Sequence, residues 1–270
     1  MKSKVIRTLA IAENTIRESL RNRIVYALLG TTALVMCLSL VLGWVTVEPD
    51  DKLRIIANLC LSAIVLFGTI ASIFLGTNLI YQEVQQRTIY TLLARPLSRG
   101  EFIAGKYLGL IAVNGICLLA TGTFFLIFFA LNGGTITLTI IEALYMTFIE
   151  LSVVTGIALL FSVIAHPIEG AVFAFVVTMV GHTTGDLLAL GEEIAAREKG
   201  EVGVMTNLTL KLLDLLYLVL PNLSNFNLRT EAAASISVPM SFLGQSTVYA
   251  LFYMLILYCL ASWSFSRKML

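Results

Sequence analysis

Charged residues are scarce in this 270-residue chain, and their scarcity excludes a soluble fold. Asp, Glu, Lys and Arg make up only 13% of the sequence, whereas soluble globular domains carry roughly 25%. Hydrophobic residues make up 58%, and the mean hydropathy is +0.90. A helix that crosses a bilayer needs about 20 mostly apolar residues, and the chain contains several such runs. The composition therefore predicts an integral membrane protein.

A basic tail, a histidine cluster and paired cysteines are also missing. The formal net charge is +1, so nothing predicts a nucleic-acid partner. The only histidines are His166 and His182, and no Gly-x-Ser-x-Gly elbow accompanies them, which argues against a catalytic triad. The cysteines have no paired spacing and lie inside apolar runs, namely at Cys37, Cys60, Cys117 and Cys259. Neither a disulfide framework nor a zinc site is predicted, and we expect no metal or cofactor to be bound by this chain.

The first 22 residues are predicted to form an amphipathic helix on the membrane surface. Apolar residues recur there at three- and four-residue spacings, with charged residues mostly on the other side. The apolar positions are Val5, Ile6, Leu9, Ile16 and Leu20. Basic residues at 17, 21 and 23 occupy the region where a cleavable signal peptide needs an apolar core, so this segment is expected to be retained.

Six apolar runs predict six transmembrane helices within one all-α transmembrane domain over residues 1–270. The runs cover about 24–46, 54–80, 107–131, 138–164, 169–190 and 242–265. Short breaks rich in glycine, proline or charge separate them, for example at 132–134 and 166–167. Each break is too small to be a domain.

Lysine and arginine predict the orientation, because cytoplasmic flanks of membrane helices are enriched in them. If the amino end lies inside, the outer face carries half as many basic residues as the cytoplasmic face. Both termini are therefore predicted to be cytoplasmic, in the cell (inner or plasma) membrane. Segment 191–241 is then external and partly helical. An alternative with Leu208–Leu220 as a seventh span would move Arg267 and Lys268 outside.

One cytoplasmic loop, residues 81–106, is longer than a simple connection requires. Glu83 and Arg87 stand at an i,i+4 spacing that favours a helix. Ile89, Leu92 and Leu93 follow as one apolar edge. A solvated connector has no need of such an edge, whereas a docking surface does. We therefore predict that this loop docks on a cytosolic partner.

The same loop then contains a stop and a restart. Arg95-Pro96 is expected to end the short helix, because proline disfavours the α conformation in the residue before it. Ser98 and Glu101 match the capping box, in which each side chain accepts a hydrogen bond from the other residue's backbone amide. The prediction is a short rigid helix, a proline turn and a capped helix that runs into the third span.

These residues resemble a known family. The stretch YQEVQQRTIYTLLARPLSRGEFIAGKYLG, residues 81–109, is similar to the first cytoplasmic loop of permease subunits of type-two ABC exporters. The amino-terminal ENTIRESLRNRIVYALL resembles the elbow helix of that family. LPNLSNFNL at 220–228 resembles a stretch before the last span in one branch. That branch contains permeases that accompany nitrous-oxide-reductase maturation and gliding motility.

The resemblance implies a function that the composition does not reveal. A coupling helix around Arg87–Arg95 would sit in a groove of a separate ATP-binding subunit, which would bind ATP and magnesium. Two permeases, identical or homologous, would face each other, and a periplasmic accessory protein would be a further partner. ATP-driven movement of the coupling helix would open and close a path by alternating access, with export as the expected direction.

Two motif matches are better explained without catalysis. Gly100–Lys106 matches the G-x-x-x-x-G-K phosphate-binding pattern, but Tyr107 stands where Ser or Thr must hold magnesium. Glu192–Arg197 matches the E-E-x-x-x-R pattern of intramembrane proteases, but both histidines lie upstream of it. Its charged neighbours indicate a solvated helix. The chain is therefore predicted not to be an enzyme.

Ionisable residues inside the predicted spans are candidates for a substrate path, because a charge at the bilayer centre costs about 2.5 kcal/mol or more. Glu150 lies a third to halfway along the fourth span. His182 and Asp186 are four residues apart in the fifth span, so they would share a helix face and could pair. An equally good alternative is an internally paired cluster that orients the helices, with Asp186 already among the headgroups.

Other functional classes are weighed against transport. The main alternative is a membrane scaffold that anchors a cytosolic or periplasmic partner without moving a substrate. An intramembrane protease is less favoured, and so is a channel, because no filter-like motif or repeated polar face is present. The apolar spans are compatible with a lipid, a hydrophobic drug, a peptide or a metal-cofactor precursor as substrate.

Overall fold

The computed structural model describes residues 2–44, 49–85, 98–197 and 220–268. These parts of the chain are helical and contain no strand, so the predicted all-α fold is confirmed. In chain order the elements are α1 (Lys2–Leu20), α2 (Arg23–Trp44), α3 (Pro49–Gln85), α4 (Arg99–Leu131), α5 (Leu138–Ile164), α6 (Pro167–Arg197), a 3₁₀ turn (Ser224–Phe226), α7 (Arg229–Ala233) and α8 (Met240–Lys268).

Six of these helices, α2 to α6 and α8, are long and apolar enough to cross a membrane, as predicted. Two helices extend beyond the predicted spans. α3 extends from Pro49 to Gln85, whereas α4 begins at Arg99, directly after Ser98, as the predicted capped restart requires. α6 continues to Arg197, so the charged stretch 192–197 extends this helix. The alternative seventh span lies outside the described residues, apart from Leu220.

The short turns between spans follow from glycine and proline chemistry. α4 ends before Asn132, and Gly133 has φ +87°, a left-handed conformation that glycine adopts readily. Gly134 lies so close to the ring of Phe129 that a Cβ there would come within 2.4 Å of a ring carbon. Pro167 is the first residue of α6, where its missing N–H removes no helical hydrogen bond.

α5 is the central helix of the bundle. Some 78% of its membrane-spanning window is buried, compared with 22% for α2. Two glycines of α3 allow a close approach to it, since Gly68 lies against Leu151 and Gly76 against Ala158. α5 also packs against α4, α6 and α8. Apolar side chains from these helices form the main core around α5.

Different elements cover the two ends of the bundle. At one end, which we call the basal end, α1 and the last turns of α8 both contact the start of α4. At the opposite, distal end, α7 packs against α3 and α5, and the 3₁₀ turn packs against α5 and α6. Arg229 Nη1 donates there to Ser62 Oγ on α3 (3.3 Å). α1 and the end of α8 therefore lie where loop 81–106 enters α4.

α1 has two faces with different surroundings. Val5, Ile6 and Leu9 are exposed, as expected of an amphipathic helix whose large apolar residues contact lipid. Ala12 and Thr15 are buried, and both lie against α4. The predicted amphipathic helix is present, but its small residues form a second face that joins it to the bundle.

Candidate functional site

The capping box begins α4 within loop 81–106, so residues 99–106 of that segment belong to the helix. Ser98 has an extended backbone (φ −77°, ψ 147°), and its Oγ accepts a hydrogen bond from Glu101 N at 3.2 Å. Glu101 Oε2 accepts from Ser98 N, also at 3.2 Å. Both interactions expected from the S-x-x-E spacing are present. The loop therefore passes into α4 through a helix start whose first amides are satisfied.

α1 is packed tightly onto α4 next to this cap. A Cβ at Gly105 would lie 2.7 Å from Ile11 Cβ, and one at Gly109 would lie 2.6 Å from Thr15 Cβ. The two glycines are four residues apart and share a face, an arrangement that lets helix backbones approach closely in membranes. Close helix packing therefore explains Gly105. Gly100 lies in the first turn of α4 near Tyr258.

Lys106, the lysine of the G-x-x-x-x-G-K match, lies in the contact between α4 and α1. Lys106 is 1% exposed, and its Nζ lies 3.6 Å from Glu18 Oε2 on α1. The ring of Phe102, one turn earlier on α4, lies 6.0 Å from the same Nζ. A second ion pair joins α1 to α4 between Lys4 and Glu101 at 3.9 Å. Lys106 is therefore part of a helix–helix contact.

The end of α8 joins the same place. Arg99 Nη1 donates to the Ser266 carbonyl oxygen at 2.6 Å, and Tyr258 Oη donates to the Gly100 carbonyl oxygen at 3.2 Å. The rings of Phe102 and Phe265 stack with centroids 5.8 Å apart. Polar and aromatic contacts thus attach α1 and α8 to the first two turns of α4. We call this three-helix contact, including the cap, the basal cluster.

The predicted coupling residues precede the basal cluster. Glu83 lies on the last turn of α3, and its side chain is not among those described. The remaining coupling candidates fall outside the described residues, namely Arg87, Ile89, Leu92, Leu93, Arg95 and Pro96. Their role in docking stays a prediction, and the described structure locates only the two helices that they connect.

Two of the predicted path residues come together inside the bundle. His182 Nε2 on α6 lies 3.0 Å from Glu150 Oε1 on α5. The Glu150 side chain is 1% exposed and the His182 side chain is 26% exposed. Glu150 lies about 18 Å along α5 from its first residue, at about 1.5 Å per residue, and it is surrounded by the main apolar core. The pair therefore places ionisable groups near the middle of the α5 span and near the distal end of the α6 span, which covers Pro167–Gly185.

Asp186 lies one turn after His182 on α6, and its side chain is outside the described part of the structure. The sequence offered Asp186 as the partner of His182 because the two share a helix face. The structure brings His182 to Glu150, 32 positions earlier on another helix. Two of the three path candidates are therefore in contact, and the pairing of His182 with Asp186 stays a prediction.

Sequence reasoning did not find the uncharged polar contacts between α4 and α5. Asn114 is buried and its Nδ2 donates to Thr155 Oγ1 at 2.7 Å. Tyr107 Oη donates to the Ser152 carbonyl oxygen at 3.0 Å. The sequence contained one indication of such a contact, namely an asparagine in the middle of an apolar run. A buried amide in a membrane needs a hydrogen-bond partner. These contacts attach α4 to the central helix above the basal cluster.

A second missed residue, Asn222, joins two helices at the distal end. Its Oδ1 accepts a hydrogen bond from Thr184 Oγ1 on α6 at 3.1 Å, and its backbone N donates to Tyr249 Oη on α8 at 2.9 Å. The next residue is held as well, because Leu223 N donates to the Gly181 carbonyl oxygen. Asn222 thus forms a bridge between α6 and α8 that sequence reasoning did not predict.

The fold and these contacts define a multi-pass α-helical membrane protein whose loop-bearing end unites three helices. The family model described as ABC-2 family transporter protein matches residues 9–270. Because the match covers nearly the whole chain, this chain belongs to the ABC-2 transporter family and is a transmembrane permease of an ABC transporter. The resemblance is confirmed for the family, and the branch within it stays a prediction. No curated protein matches the chain.

Proposed function

We propose that this permease exports its substrate by alternating access and that a separate ATP-binding subunit drives it through loop 81–106. The basal cluster is the observation that supports this proposal. Because α4 starts at a satisfied cap and is attached there to α1 and α8, a push on the loop would displace three helices together. A loop that only connects two spans would need no such reinforcement.

The loop residues supply the proposed docking surface. A helix around Arg87–Arg95 would present Ile89, Leu92 and Leu93 to a groove of the ATP-binding subunit, and Pro96 would end it. ATP and magnesium would be bound and used in that partner chain. A second permease, identical or homologous, would complete the path, and a periplasmic accessory protein would be a further partner.

We further propose that loop 81–106 and both termini lie in the cytoplasm and that the protein resides in the cell (inner or plasma) membrane. The excess of lysine and arginine on the amino-terminal side supports this orientation. The contacts of α1 and of the end of α8 with the start of α4 support a common side for the three segments. One orientation therefore accounts for all three segments.

Glu150 and His182 are the residues that we propose for the substrate path, with Asp186 as a third. Ionisable groups inside a membrane bundle mark paths or relays when they face partners or water. The contact between α5 and α6 would open when the basal cluster moves, which would make the two side chains accessible in turn from each side.

Co-purification and ATPase measurements test the coupling. The permease is extracted from membranes, and an ATP-binding subunit is expected to accompany it. Leu92→Ala is expected to weaken that association by about tenfold or more, since truncating an anchoring interface side chain costs roughly 2 kcal/mol. The ATPase activity of the complex should be lower for Leu92→Ala than for the wild type. It should also be lower for Arg95→Ala.

The matched control is Leu131→Ala at the distal end of α4, where the side chain is 82% exposed. This variant should retain both association and ATPase activity. If no ATP-binding subunit accompanies the wild-type permease, the scaffold alternative is favoured. If the subunit binds but Leu92→Ala and Arg95→Ala behave as wild type, loop 81–106 is not the coupling element.

A further inference from the structure

A cleft of about 370 Å³ lies beside the distal half of α8. Amide and hydroxyl groups line it together with aromatic rings, from Asn222, Asn225, Gln245, Ser246, Tyr249 and Tyr253, and Phe242 completes the wall. Small-molecule sites in proteins usually have volumes of about 300–1,000 Å³. The cleft is therefore large enough for a ring-sized polar group.

Hydrogen bonds hold the walls of the cleft in place. Asn222 is buried and bridges Thr184 on α6 and Tyr249 on α8. The ring of Phe226 lies 6.4 Å from that of Tyr249, and the ring of Tyr249 lies 5.1 Å from that of Tyr253. The cleft is thus formed by positioned side chains rather than by a gap between loosely packed helices.

The cleft adjoins an exposed apolar surface of α8. At about 1.5 Å per residue, Ser246 lies about 9 Å and Tyr253 about 20 Å from the distal start of the helix at Met240. Polar groups are therefore nearest the distal membrane boundary, with tyrosine rings deeper. On the adjoining side of α8, Val248 and Phe252 are each 66% exposed. An amphiphile could place its headgroup in the cleft and its chain along these residues.

The chemistry of the lining selects among headgroups. None of the described residues that line the cleft is charged, so a phosphate or an ammonium group would lose hydration without gaining an opposite charge. A purely apolar ligand would cover the amide and hydroxyl groups and leave them without water. Hydroxyl groups both donate and accept hydrogen bonds, which matches the serine hydroxyl and the amide side chains, and the flat face of a sugar-like ring can stack on tyrosine.

We propose that this cleft binds the uncharged, hydroxyl-rich headgroup of an amphiphile, and that such amphiphiles are the substrate class of the permease. The binding site rests on the cleft alone, whereas its role in transport rests on the function proposed above. The cleft lies at the distal end, so a headgroup would occupy it on the far side of the membrane from the basal cluster.

Photolabelling of the full chain in phosphatidylcholine nanodiscs tests the site. Two probes carry the same diazirine-bearing alkyl chain, one on a glucoside and the other on a phosphate monoester. Peptide mass spectrometry should find the glucoside attached at 242–253 and 222–225, at a yield at least about fivefold above that of the phosphate. Excess octyl glucoside should compete. Ser246→Ala should lower the yield by about fivefold, the effect of one hydrogen bond between uncharged groups.

Matched variants distinguish binding in the cleft from nonspecific contact of the probe with the protein surface. Ser241→Ala removes the same hydroxyl from an exposed position of α8 outside the cleft and should label as wild type. Gln245→Leu keeps the size of an exposed side chain and should lower labelling without affecting folding. Equal labelling by both probes, or wild-type labelling of Ser246→Ala and Gln245→Leu, would overturn the proposal. So would a disulfide between two copies of Gln245→Cys in a cysteine-free chain, because a second copy would then cover the cleft.

The labelling requires neither ATP nor a partner, so the two proposals fail separately. Loss of selective labelling with intact dependence of ATPase activity on Leu92 would remove the substrate class and keep the coupling mechanism. Selective labelling without any associated ATP-binding subunit would keep the site and remove that mechanism.

Discussion

At the scale of single residues, the contact between Glu150 and His182 joins two membrane helices through ionisable groups. Glu150→Gln preserves the size of the side chain and removes its ionisation. We expect transport to be lost because the path would lose an ionisable group, while assembly and basal ATPase activity are retained. Transport is measured by whether the variant restores the phenotype of a strain whose chromosomal copy is deleted. Basal ATPase activity is measured on the purified complex.

The control for this substitution is Glu142→Gln on the same helix. Glu142 is half-buried and lies two turns nearer the distal start of α5. This variant should support transport as the wild type does. Wild-type transport by Glu150→Gln would remove Glu150 from the path and favour the alternative that the pair only orients α5 and α6.

The cap of α4 is a second residue-scale feature that can be tested. Ser98→Ala removes the acceptor for Glu101 N and should cost about 1 kcal/mol at the start of the helix. We expect lower ATPase activity in the complex, because the first turn of α4 would fray where the loop pushes on it. Ser98→Asp retains an acceptor and should restore activity.

A second N-cap in the same chain provides the comparison for Ser98. Thr137 precedes α5, and its side chain makes no cap hydrogen bond. Thr137→Ala should therefore leave ATPase activity unchanged. Equal losses for Ser98→Ala and Thr137→Ala would mean that the activity does not depend on the rigidity of the loop exit.

The capping box and the buried pair differ in how far a sequence can predict them. Ser98 and Glu101 interact over three residues, so local spacing was sufficient. Glu150 and His182 lie on different helices, and their contact depends on how α5 and α6 pack. The sequence indicated that both residues were unusual, because each interrupts an apolar run. It offered Asp186 as a partner because only contacts along one helix follow from periodicity.

At the scale of secondary-structure elements, the tight contact between α1 and α4 carries the next prediction. Gly105→Ala would place a Cβ 2.7 Å from Ile11 Cβ and 2.9 Å from the Thr8 carbonyl oxygen. The helices would have to separate, at a cost of about 1–3 kcal/mol. We expect a lower apparent Tm and weaker coupling of ATPase activity.

Gly30→Ala on α2 is the matched substitution, because no atom lies within 4 Å of a Cβ added there. Alanine favours a helix over glycine by about 0.5–1 kcal/mol, so the apparent Tm should stay the same or rise. A decrease equal to that of Gly105→Ala would show that glycine content, rather than the α1 contact, determines the result.

Element boundaries were predictable where glycine, proline or charge interrupts an apolar run. The turns at 132–134 and 166–167 are of this kind. The extensions of α3 and α6 were not predicted, because polar residues can continue a helix beyond the apolar part that enters the membrane. The attachment of α1 through Ala12 and Thr15 was also missed, since small residues contribute little to a hydrophobic pattern yet allow close packing.

At the scale of the whole molecule, the contacts at the two ends of the bundle join different sets of helices. The basal end contains charged and aromatic contacts that unite α1, α4 and α8. The distal end contains an uncharged polar bridge between α6 and α8. Glu150 and His182 lie between the two. This order suits a permease in which motion enters at the basal end and changes access toward the distal end.

The proposed orientation leads to a topology experiment that involves both ends. In a chain without its four cysteines, Lys4→Cys marks α1 and Ser237→Cys marks the distal segment, both at exposed positions. A membrane-impermeant maleimide should label Ser237→Cys in intact cells and should label Lys4→Cys only after the membrane is opened. The contact of Lys4 with Glu101 and that of Arg99 with Ser266 place α1, the loop exit and the end of α8 together. Labelling of Lys4→Cys in intact cells would therefore put all three outside, where no ATP-binding subunit could reach them, and the coupling mechanism would have to be abandoned.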